Sequence, residues 1–132
     1  MTELSWKYVK PLLKADAVDN FEKENNISLP QDLKQCITLN NGGRPSLNVF
    51  DTGISKDRVF KTLLSFNESD KENIFTFFPI IHSQKNGLIP FASDPGGNFL
   101  CLMGTKVVLY LHENGNIEQV ADSFSDLLAK LR

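Results

Sequence analysis

Few side chains in these 132 residues could carry out chemistry: His82 and His112, Cys36 and Cys101, and the turn Asp94-Pro95-Gly96-Gly97-Asn98. Asp94 and Asn98 offer hard oxygens of the kind a divalent cation takes. Such a site needs several more ligands close by, whereas an Asx-type turn that hydrogen-bonds its own backbone uses Asp94 without any ion. The glycines of this turn lack the Lys-Ser/Thr that holds phosphate and magnesium, so a nucleotide site is not supported. Neither histidine has a serine, cysteine or carboxylate at a spacing that suggests a triad. A small hydrolase or ligand-binding site would have to assemble Asp94, Asn98 and His82 across loops. Cys36 would need a helix N-terminus or a neighbouring cation to ionise it, yet it falls late in its helix. The two thiols read as isolated and reduced. No catalytic residue, metal ligand or cofactor contact is assigned.

The densest charge lies at Asp16, Asp19, Glu22 and Glu24. Acids in a first helical turn complement the macrodipole. On an exposed helix face, carboxylates spaced three apart would also steer a basic partner. Asp16, Asp19 and Glu22 are therefore candidate partner contacts, and Phe75 and Trp6, the aromatics least easily assigned to the core, are candidate anchors. The chain carries 14 Lys plus Arg against 16 Asp plus Glu, a formal charge of −2, with no polybasic run. That leaves no electrostatic footprint for direct binding of nucleic acid or anionic lipid. No apolar run is long enough to cross a bilayer, and the first ten residues lack the apolar core of a signal peptide. A length of 132 residues with 41% hydrophobic and 23% charged side chains fits one globular domain over 1–132.

The elements that would position these groups can be placed by periodicity. Residues 1–14 read as an N-terminal arm or short helix broken at Pro11. A helix follows, with Asp16 at its cap and Val18 and Phe21 inward, and it ends at Asn25 and Asn26, where left-handed backbone is cheap. Pro30 suits the first turn of the next helix, whose Leu33, Cys36 and Ile37 form a stripe before Asn40-Asn41-Gly42-Gly43 stops it. Segments 47–50 and 58–66 read as strands. Ser69-Asp70-Lys71-Glu72 matches a capping box, which starts a third helix there with Ile74, Phe77, Phe78 and Ile81 inward and Phe75 about 100° away, at the rim. Pro79 would kink this helix or end it early, and a strand over 74–78 is the alternative. Segments 88–92, 98–103, 106–111 and 117–120 form an antiparallel meander, with Asn114-Gly115 as a type I′ turn. Ser123 caps a last helix that turns Phe124, Leu127, Leu128 and Leu131 inward.

An acidic helix ending in Asn26-Ile27-Ser28-Leu29-Pro30, a helix closing on Asn41-Gly42-Gly43, then Leu88-Ile89-Pro90-Phe91-Ala92 with Asp94 and Gly97-Asn98, then Ala121-Asp122-Ser123-Phe124 before a Leu127-Leu128 helix occur in this order over 15–131. Together they resemble the SUKH superfamily, the Smi/Knr-type domains of fungal cell-wall synthesis regulators and bacterial toxin-immunity proteins. The resemblance implies an α+β fold with a mixed, mostly antiparallel sheet faced by helices, helices at both ends of the chain, no enzymatic activity and a role in binding proteins. For a bare domain it implies a cytoplasmic immunity protein, monomer or weak dimer, that neutralises a cognate toxin such as a nuclease by stoichiometric binding. The alternative is a regulatory interaction domain with a non-toxin partner, as in the fungal branch. Leu29, Pro30, Asn41, Gly42, Gly43, Ile89, Pro90, Phe91, Asp94, Gly97, Asn98 and Phe124 carry the resemblance and read as scaffold. The chain departs from the common pattern at Leu33, where an aromatic is frequent, and in the Phe-rich stretch 73–81.

Overall fold

Two strands that are dry on both faces organise the molecule. The computed structural model describes residues 4–84 and 87–132, so the first three residues of the expected arm lie outside the description. β7 (Phe99–Met103) and β8 (Lys106–Tyr110) pair antiparallel across Gly104-Thr105, with φ of Gly104 at +66°. Only the first central residue of that turn has positive φ, the II′ pattern, which matches the right-handed twist of the strands. β6 (Leu88–Ser93) flanks β7, β9 (Ile117–Ala121) flanks β8, and β5 (Thr62–Leu63) joins the outer edge of β6, giving the order β5-β6-β7-β8-β9 with every ladder antiparallel. One lone parallel bridge joins Ser65 to Asn73.

The period of two along each strand sends alternate side chains to opposite faces. Leu100, Leu102, Val107 and Leu109 enter the larger core with Phe21, Leu33, Ile37, Phe124 and Leu127. Cys101, Val108 and Tyr110 go the other way, into a smaller cluster with Leu88 and Ile81. Each such fully buried aliphatic or aromatic side chain contributes about 1.5–3 kcal/mol relative to exposure. The fold is therefore α+β, with helices near both ends of the chain.

The helices are α1 (Ala17–Asn25), α2 (Gln31–Asn40), α3 (Ile74–Gln84) and α4 (Phe124–Lys130). Asn26 adopts left-handed backbone (φ 53°, ψ 48°), and the Ile27 N–H reaches the Glu22 carbonyl at 3.0 Å, closing α1 as a Schellman-type cap. At the other end Asp16 makes no side-chain cap bond, contrary to expectation. Pro30 sits one position earlier than expected, at the N-cap of α2. Ser123 caps α4 as expected, its hydroxyl accepting the Asp126 N–H at 3.0 Å.

Several local readings are corrected. The 69–72 capping box does not form: Glu72 bonds Lys61 Nζ and Ser93 Oγ, and α3 starts later under Asn73, whose Oδ1 accepts the Thr76 N–H at 2.9 Å. The 74–78 alternative is helical, and α3 runs past Pro79 to Gln84. The expected strand 58–66 is divided into β4 (Arg58–Val59), paired with β3 (Val49–Phe50), and β5 in the main sheet. Asn114-Gly115 is not a type I′ turn, because Gly115 has positive φ and Asn114 does not; a longer loop closes when the Gly115 N–H bonds the Leu111 carbonyl. Within the arm the chain is extended, not helical. β1 (Trp6–Lys7) pairs with β2 (Arg44–Pro45), and Trp6 packs edge-on to Phe60 at 6.0 Å.

Candidate functional site

The arm is fastened by two asparagines. Asn41, fully buried at the end of α2, donates from Nδ2 to the Lys10 carbonyl (2.8 Å) and Ser65 Oγ (2.9 Å) and accepts the Phe66 N–H at Oδ1 (2.8 Å). Asn67 accepts the Leu13 N–H at 2.9 Å and donates to the Pro11 carbonyl at 3.0 Å. Asp70 ties the two together, accepting from Ser65 Oγ at 2.6 Å and Asn67 Nδ2 at 3.1 Å. These bonds satisfy buried polar groups and set the path of 10–13 across the molecule.

That path leaves a groove of about 270 Å³ between α1 and residues 66–69. Its floor includes Phe21, Phe66 and Ala17, and half-buried Phe75 stands in one wall. Phe21 is the hub of this aromatic group, with rings edge-on to Phe66 (5.4 Å), Phe75 (5.7 Å) and Phe78 (5.0 Å). Leu13, 75% exposed, lies at the rim with Glu24 of α1 and Glu68 of the turn. Of the five candidate contact residues, Phe75 is the one that lines this groove.

The others are placed differently. Asp19 and Glu22 both bind Lys34 Nζ, at 3.1 and 2.8 Å, and Glu22 Oε2 accepts the Leu29 N–H at 2.7 Å. The bonds from Glu22 and then Asp19 hold the Lys34 ammonium above its ordinary value. These two acids fasten α1 to α2. Asp16 is exposed and does not itself line the groove. Trp6 is half-buried against the core.

The scaffold residues account for themselves by packing. Leu29 and Phe124 are buried, and Phe91 meets Phe124 edge-on at 5.6 Å. Pro30 begins α2. Half-buried Ile89 and buried Pro90 pair with Leu102 and Cys101, just before a bulge that re-registers β6. Gly42 has φ +68°, and a side chain at Gly43 would press on the Asn40 carbonyl at 2.8 Å. Asp94 folds its turn onto itself: Oδ1 accepts the N–H groups of Gly96 (2.9 Å) and Asn98 (2.8 Å), and Oδ2 accepts Asn98 Nδ2 (3.0 Å). Gly97, at φ +85°, lies under the His112 ring, whose Nε2 donates to the Gly96 carbonyl at 3.0 Å. His82 is elsewhere, stacked on Phe78 and donating from Nδ1 to the Leu88 carbonyl at 2.9 Å, so Asp94, Asn98 and His82 do not assemble.

Among the described residues no three His, Cys, Asp or Glu side chains are grouped to hold a metal ion, and no helix is long and apolar enough to cross a membrane. Burial pushes the Cys36 thiol up to about 11 and raises Cys101 further. Leu13, Phe66 and Glu68 escaped the sequence reading because the arm, the 66–69 segment and α3 meet only in the folded chain; an aromatic off the helical stripe was the available signal.

The α+β scaffold thus presents a groove with aromatic side chains below and two carboxylates and one ammonium around it. Residues 12–130 match the SMI1 / KNR4 family (SUKH-1), and the chain belongs to that family. Its domains are in general non-enzymatic protein-binding modules, and this chain is a protein-binding domain. A search among curated proteins gives no match.

Proposed function

We propose that the chain is a cytoplasmic immunity protein, working as a monomer or weak dimer, that neutralises a cognate toxin by stoichiometric occlusion and catalyses no reaction. The observation that carries this reading is the groove: an aromatic floor with a hydrophobic side chain at its rim is the material of a protein contact, where a few buried anchors supply most of the affinity. Family membership supports the same reading, and it equally supports a regulatory interaction domain with a non-toxin partner.

Co-expression with the products of the neighbouring genes, tested for a toxin domain among them, separates the two. An immunity protein should restore growth and co-purify at one to one, and titration of toxin activity should break at equimolar protein. Failure to bind any neighbouring toxin domain refutes the immunity reading. Inactivation of the toxin by substoichiometric protein refutes the non-enzymatic mechanism.

A further inference from the structure

The groove's size and charge bear on what enters it. At about 270 Å³ it falls just below the 300–1,000 Å³ of sites that enclose a drug-sized ligand. It has room for one large side chain. The polar Asn20 and Ser69 of the lining are exposed to solvent, whereas Phe21, Phe66 and Phe75 give an aliphatic or aromatic side chain dispersion contacts on several sides. Leu13 projects into solvent from backbone already held by Asn67, so little ordering cost remains when a guest packs against it.

The rim sets the sign of the guest's surroundings. Glu24 and Glu68, on opposite sides, are exposed and form no ion pair among the described residues, unlike Asp19 and Glu22, which are occupied by Lys34. Lys14 is the one cation in the lining, so two carboxylates outnumber it. An anionic guest would meet repulsion, and a cation beside the anchor would find a free carboxylate on either side. We infer that the groove between α1 and residues 66–69 accepts a Leu, Met or Phe side chain from a partner segment that carries Lys or Arg next to that anchor. This rests on the protein-binding reading above and specifies the chemistry of the partner.

Selection of phage-displayed random heptapeptides against the full chain tests it. Enriched peptides should combine a Leu, Met or Phe with Lys or Arg within two positions. A synthetic copy should move the NMR amide signals of α1 and of residues 66–69. That peptide should lose at least tenfold in affinity to Phe75→Ala and to the double variant Glu24→Lys/Glu68→Lys. The loss in the double variant should shrink as salt rises, because rim charges act through screened attraction. Both charge reversals are at exposed positions, and circular dichroism checks that the variant is folded.

Enrichment of acidic or uncharged peptides, no enrichment, signal changes elsewhere, or affinity indifferent to these substitutions overturns the proposal. A dimer that Phe75→Ala dissociates would assign the groove to a second copy and overturn it as well. A toxin domain bound at one to one with unchanged affinity for the groove variants would sink the groove while the protein-binding reading stood. Groove peptides behaving as described without any captured toxin would leave the groove standing and sink the immunity reading.

Discussion

Replacing Asn41 by alanine removes three hydrogen bonds at a position with no solvent exposure. The Phe66 N–H is left buried without its acceptor, a loss of about 1–3 kcal/mol, and the bonds to the Lys10 carbonyl and Ser65 Oγ add about 0.5–1.5 kcal/mol each. Ser65 keeps its bond to Asp70, and the bond to the Lys10 carbonyl is only partly buried, which holds both contributions near the lower end. The sum is about 3 kcal/mol against a total stability of about 5–15 kcal/mol for an ordinary domain. At about 4 °C per kcal/mol for a chain of this size, Tm should fall by about 12 °C. Urea unfolding at unchanged slope measures the loss. Trp6 is the only tryptophan and sits in the arm that Asn41 fastens, so its emission should shift to the red before the global transition. A loss under about 1 kcal/mol, or Trp6 emission that changes only with global unfolding, would refute the account of Asn41 as the fastening of the arm.

Gly43→Ala should cost about 2 kcal/mol in urea unfolding, because the new carbon would meet the Asn40 carbonyl at 2.8 Å and Val9 Cγ2 at 3.3 Å, while Gly53→Ala, in open space, should stay within about 0.5 kcal/mol. Glu118 is buried, which raises its carboxyl, but the Ser55 and Thr52 hydroxyls and the Arg58 charge outweigh burial and leave it below the ordinary value of 4.5. A depressed folded value means that this stabilisation is complete above pH 4.5 and drains away as the pH falls below it, so Glu118→Gln should flatten the acid limb of a stability–pH curve. With its thiol near 11, Cys36 should be alkylated by iodoacetamide at pH 8 roughly a hundredfold more slowly than an ordinary cysteine, measured by mass spectrometry under native conditions.

The meander, α2 and the last helix were legible because neighbours in sequence decide them: Pro30 and Gly42 bound α2, turn residues separate β6 to β9, and Ser123 meets its own third residue. Apart from the local Asp16 cap and Asn114-Gly115 turn, the misreadings lie where distant residues compete. Glu72 satisfies a capping pattern locally, yet Lys61 and Ser93 offer it tertiary partners, and Asn73 takes the cap instead. The arm is extended because Arg44 and Pro45, nearly forty residues away, supply its pairing. The acidic cluster was visible as charge, but Lys34, 12 and 15 residues from Glu22 and Asp19, decides that two of its members are spent inside the molecule. Phe75 could be singled out from helical angle alone. The groove around it could not, since its sides come from α1, the arm and the 66–69 turn.

The dry central hairpin carries a liability outside the folded state. β7 and β8 are two apolar runs of high β propensity with a single charge, Lys106, and no proline. In the native molecule β6 and β9 occupy their edges and the two cores cover their faces. Once the chain is heated open, the same ribbon can stack on copies of itself as readily as on its own flanks. Thermal unfolding should therefore be reversible only in dilute solution, and in concentrated solution the apparent melting point should follow the scan rate.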